Sequence, residues 1–188
     1  MSTQEMVNVG TGEVVAASIV EFDSSVESQF IHIRNDCSAG GGIFKVGDNP
    51  FAKSVSGTLI AARVFKNIAL FTKKGEESKP QDWVQILFVD EKYHNLKSTL
   101  IKTRSISQFA QFINSIKAVN ENPCGVSFTM RFNDAEGANG STGDKFKYKY
   151  LTFERNETDG SHKPRAMAVK ALLDAGTIHF PGFENTLG

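Results

Sequence analysis

The chain has 188 residues, with 21 basic and 21 acidic side chains, and is 40% hydrophobic and 22% charged. This composition excludes a disordered chain and a uniformly basic nucleic-acid clamp, and its length gives a core that needs neither disulfides nor metals. No apolar run approaches the ~18 residues of a membrane span, no basic residue precedes Arg34 to open an export signal, and Cys37 and Cys124 lie far apart, as buried thiols of a reducing compartment do. The expectation is a cytoplasmic protein without membrane contact.

The first twelve residues are polar. Val14 to Phe22 suits a strand or a short helix equally well. Gln29 to Arg34 is rich in β formers and predicts a strand. Ser38 to Pro50, with Gly40, Gly41, Gly42 and Gly47, reads as a flexible loop. It divides an acidic N-terminal segment, residues 1–50, from a body, residues 51–188. The segment is expected to pack on that body.

Gly57 to Phe71 predicts one long, bent strand, followed by a polar loop over Thr72 to Asp82. Trp83 to Val89 is nearly all apolar, so both faces of that strand should be covered. Leu96 to Thr103 predicts a third strand. Ser105 with Gln108 has the spacing of a capping box, and Ile106, Phe109, Phe112, Ile113 and Ile116 make one apolar helical stripe. From Val126 the apolar and polar side chains alternate to Phe132, predicting a strand. Asn133 to Asp144 is expected as a long loop, and Lys145 to Phe153 as the returning strand. A last helix is expected from Ser161 to Ala175, with Gly176 at its C-terminal cap.

The order strand, strand, strand, helix, strand, strand resembles that of OB-fold proteins, over about residues 55–155. The fold expectation is therefore mainly β: an OB-fold-like five-stranded barrel with a helix between strands three and four, plus a C-terminal helix. A mixed sheet with the same element order would read alike. The resemblance implies a ligand across strands two and three, flanked by the first and last loops.

Charge is uneven. Residues 1–50 hold two basic and seven acidic side chains, a balance of −5; residues 51–120 hold eleven and five, a balance of +6. Such asymmetry points either to a charged partner or to two parts neutralising each other. Aromatics interleave with the basic residues, which suits phosphate neutralisation beside base stacking. The candidate nucleic-acid-binding residues are Arg63, Lys66, Phe71, Lys73, Lys74, Lys79, Trp83, Lys97, Lys102, Lys147 and Tyr148. Trp83 reads as a core anchor before it reads as a stacking residue. In the run Lys145 to Tyr150 the three Lys share one strand face and three aromatics the other, and the aromatics are expected to pack inward.

His32, His94, His162 and His179 are scattered with no metal spacing, and no nucleophile motif accompanies them. The functional expectation is non-catalytic binding of single-stranded nucleic acid, DNA before RNA, with low sequence specificity. No catalytic residue, cofactor or metal is expected, and a homo-oligomer is allowed. The alternative is a cytoplasmic protein-interaction or self-assembly module with no nucleic-acid role.

Overall fold

The computed structural model describes residues 29–68, 80–138, 142–157 and 160–182. The expected elements at Val14–Phe22, and the Lys-rich loop residues up to Lys79, lie outside them. Eight strands and two helices are described. The strands are β1 (Ile31–Asp36), β2 (Ile43–Val46), β3 (Asn49–Ala52), β4 (Ser54–Ile68), β5 (Pro80–Asp90), β6 (Leu96–Lys102), β7 (Ser127–Ala138) and β8 (Lys145–Arg155). The helices are α1 (Arg104–Ala118) and α2 (Lys163–Asp174).

One sheet takes the order β3-β2-β1-β6-β5-β4-β7-β8. Every pairing is antiparallel except that of β1 with β6. The sheet is therefore mixed, and it curls into a half-barrel: the N–H of Lys149 in β8 donates to the carbonyl of Cys37, just past β1, at 2.8 Å. The protein is mainly β, with eight strands where five were expected. The three beyond those five come from the N-terminal side: β1 matches the strand expected at Gln29 to Arg34, and β2 and β3 were not expected. His32 pairs with Ser98 across β1 and β6, and the expected glycine-rich loop instead contains the β2–β3 hairpin.

Both faces of the sheet are covered. On one, Val84, Ile86 and Phe88 of β5 pack with Phe109, Phe112 and Ile116 of α1, around Phe128 and Met130. On the other, Leu87 and Val89 pack with Ala166 and Val169 of α2 and with Ile178. The continuous apolar run of β5 has this cause: alternate side chains serve two cores. Each large side chain so buried contributes about 1.5–3 kcal/mol.

Two local expectations are corrected. The N-cap of α1 is Thr103, with a left-handed backbone (φ 50°) and no side-chain capping bond. Ser105 is buried inside the first turn, where its hydroxyl accepts the N–H of Leu151 at 3.0 Å. Tertiary pairing has taken the oxygen that a capping box would use. Likewise Asn133 to Ala138 is not a loop but the distal half of β7, paired with β8 from Asn133↔Tyr150 to Ala138↔Lys145. Its polar side chains sit on a two-stranded extension open to water, so strand pairing leaves no apolar alternation to read.

Candidate nucleic-acid interface

A cleft of about 580 Å³ opens where β8 comes round to the end of β1. Its walls carry Arg34, Asp36, Lys45, Trp83, Lys102, Phe146, Tyr148 and Lys149, with His32, Cys37 and Ser105 among the remaining lining. Four cationic side chains thus face one carboxylate.

Register explains why these residues meet. Phe65 pairs with Trp83 and Trp83 with Lys102, while Arg63 pairs with Gln85 and Gln85 with Leu100. Those two cross-strand rows lie on one face of the sheet. Arg63 and Phe65 reach that face because β4 carries a bulge between Leu59 and Ala61. The extra residue reverses the alternation beyond it. From β1, His32 sits opposite Ser98 on the same face.

The cations are unequally engaged. Arg34 pairs with Asp48 at 3.2 Å and Lys45 with Asp36 at 3.0 Å. Lys149 reaches Asp134 at 2.5 Å. Hydrogen bonds from the Ser38 hydroxyl and from Lys45 hold the Asp36 carboxyl below its ordinary range. Lys102, by contrast, lies over the Trp83 ring at 5.3 Å, and Arg104 over Tyr150 at 4.2 Å. These two charges rest on aromatic faces, an arrangement compatible with simultaneous phosphate contact.

Burial pushes the His32 imidazole down to about 4, with Arg34 adding to the effect, so it is neutral near pH 7. Burial, and then the neighbouring Asp36, push the Cys37 thiol up to about 11. A thiol held protonated is no nucleophile.

The aromatic wall is open. Phe146 is 52% exposed, and its ring centroid lies 5.7 Å from that of Tyr148. The expected inward packing fails at Phe146 because the distal hairpin has no core beneath it. Gly137 lies under the ring instead, where a Cβ would come within 2.6 Å of it. Gly42 does the same for the stem of Lys149, at 2.8 Å, and its φ of +91° suits glycine alone. The glycine run read as a connector is thus a bed for a side chain of the cleft. That role has no signature in the residues themselves.

The structure gathers four of the candidate residues, Arg63, Trp83, Lys102 and Tyr148, in or beside this cleft. Trp83 is only 4% exposed, so it presents no open face for stacking. Its indole N–H is nonetheless buried without a hydrogen-bond acceptor among the described residues. Arg63 donates to Gln85 at 2.8 Å and stacks on Phe180 at 4.8 Å, while Gln85 donates to the Pro181 carbonyl at 3.0 Å. The chain after α2 therefore covers that part of the face.

Three candidates fall elsewhere. Lys66 projects from the opposite face to Arg63 and Phe65. Lys97 is 2% exposed, with its ammonium over Phe51 at 4.6 Å and Tyr93 at 5.8 Å, so it is a core lysine rather than a groove cation. Lys147 alternates away from Tyr148. Phe71, Lys73, Lys74 and Lys79 lie outside the described residues. Sequence reasoning missed Arg34, Lys45, Phe146 and Lys149 as cleft residues, although the last two stand in the run it singled out.

Among the described residues no three His, Cys, Asp or Glu side chains gather to hold a metal, and no helix is long and apolar enough to cross a membrane. No protein-family model, curated protein or solved structure matches the chain.

Proposed function

We propose that the protein binds single-stranded nucleic acid, DNA in the first instance, with low sequence specificity, through the cleft between β1, β6 and β8. The observation that supports this most is one cleft lined by Arg34, Lys45, Lys102 and Lys149 together with the open ring of Phe146 and the half-buried ring of Tyr148. Cations neutralise phosphates, and an exposed ring stacks a base of any identity, which makes such binding tolerant of sequence. Only unpaired bases present free faces to such a ring.

The test is fluorescence anisotropy with a labelled oligothymidylate. With three or four phosphates neutralised, the logarithmic salt slope should be about −2 to −3, a loss of roughly 20- to 60-fold from 50 to 200 mM salt. Lys102→Glu and Phe146→Ala should each weaken binding about tenfold or more. Absence of salt-sensitive binding at low ionic strength, or binding indifferent to both substitutions, overturns the reading.

A further inference from the structure

The scattered histidines do not stay scattered. His94 and His162 are 68 positions apart, yet His94 Nδ1 and His162 Nε2 approach to 3.1 Å, with ring centroids 4.9 Å apart. We propose that this pair is a two-histidine site for a divalent transition-metal ion of borderline softness, such as Zn²⁺, Ni²⁺ or Cu²⁺, apart from the nucleic-acid cleft.

The geometry carries the assignment. Two nitrogens bound to one ion at about 2.0–2.1 Å stand about 2.9 Å apart in octahedral and about 3.3 Å apart in tetrahedral coordination. The observed 3.1 Å lies between these values. The centroid separation is an independent measure. An in-line N–H···N bond at this distance would put the centroids about 5.4 Å apart. At 4.9 Å the ring axes are bent out of line with each other. If both rings bend equally to the same side, these two distances bring the lone-pair axes together about 2 Å from each nitrogen, at an angle near 105°, which is close to tetrahedral.

Both rings are held in place from their backbones. His94 ends the turn after β5, where the Asp90 carboxylate accepts the N–H groups of Lys92 at 2.9 Å and Tyr93 at 2.7 Å. His94 itself adopts φ 55°, and its N–H donates to the Asp90 carbonyl at 2.9 Å. His162 is the residue before α2, and its carbonyl accepts the N–H of Ala166 at 2.9 Å. The guanidinium of Arg165 is committed to the His94 carbonyl. Among the described residues no carboxylate completes the pair, and Arg165 lies beside it, so the site disfavours hard ions such as Ca²⁺ and Mg²⁺. It favours ions with high affinity for neutral imidazole, Cu²⁺ above Ni²⁺ and Zn²⁺. Water fills the remaining positions. The bound ion would tie the β5–β6 turn to the start of α2.

Isothermal titration of the full chain with NiCl₂ and with ZnSO₄ tests this. One ion per chain is expected. His94→Asn, which tolerates the left-handed backbone, and His162→Gln should each weaken binding at least about tenfold. Metal should raise the melting temperature of the parent chain and leave that of either variant unmoved. Two separate substitutions guard against one that disturbs folding. Unsaturable titration up to about 1 mM, or saturation equal in the parent and both variants, overturns the site.

Discussion

His32 links the cleft to the stability of the molecule. Its ring borders the cleft, its Nδ1 lies 3.1 Å from the Ser98 hydroxyl, and burial lowers its pKa from 6.5 to about 4. The unfolded chain therefore takes up this proton first as pH falls. The contribution is fully present above pH 6.5, is lost progressively down to about pH 4, and is flat below. Its upper bound is about 3 kcal/mol. Urea unfolding at pH 7 and pH 4.5 should show the parent chain losing more stability than His32→Gln, whose profile should be flatter across that window. Equal losses would show that other groups govern the acid limb. The neutral state of this imidazole was not legible in the sequence, because a lone histidine in a β run does not disclose how deeply its neighbours bury it. The same holds for Lys97: its charge reads as surface until Phe51 and Tyr93, from two other elements, close over it.

The β7–β8 hairpin shows where element reading succeeds and where it stops. The proximal alternation from Val126 to Phe132 was legible because it faces a core, and Phe128 and Met130 are fully buried. The distal half lost that signal with its core, so Asn133 to Ala138 read as a loop. The short β2 and β3 strands were illegible for a related reason: each is four residues long and set among glycines. The apolar stripe of α1 was legible in full, its cap was not. In the distal hairpin, the ring of Phe146 lies across Gly137. Gly137→Val should lift that ring from its seat and lower oligonucleotide affinity severalfold. Because the site is open to water, stability should change by less than about 1 kcal/mol. Anisotropy beside a thermal melt separates the two effects. Unchanged affinity would remove Phe146 from the interface.

At the scale of the molecule, the equality of 21 basic and 21 acidic residues hides charge that is sorted along the chain. The described part of the acidic N-terminal segment contributes to the basic cleft. β1 and β2 bring Arg34 and Lys45 together with Asp36. Charge counted by segment located the asymmetry but not the site, since the site is assembled from both sides of the division at residue 50. Which face each basic residue takes was equally hidden. The bulge in β4 decides it for Arg63 and Phe65, and a bulge leaves no mark in composition. The five central strands and both helices were legible in order, since each has its own apolar pattern. The parallel seating of β1 on β6 joins residues more than sixty positions apart, and no local pattern encodes it.

That seating has a consequence in time. β1 leaves the ribosome first, but its partner strand follows some sixty residues later, so the outer edge of β6 stays unpaired until the loop between them closes. Long-range parallel pairing of this kind is slow to form. The antiparallel run β4–β5–β6 has far shorter loops and should organise first. Ile33 of β1 is fully buried, so Ile33→Ala should cost about 2–5 kcal/mol at equilibrium. In stopped-flow chevrons the cost should appear almost wholly as faster unfolding, with a φ-value near zero, whereas Ile86→Val in β5 should slow refolding. A high φ-value at Ile33 would mean that β1 docks early. With late docking, Arg34, Lys45 and Cys37 arrive last, and the cleft is complete only in the final step of folding.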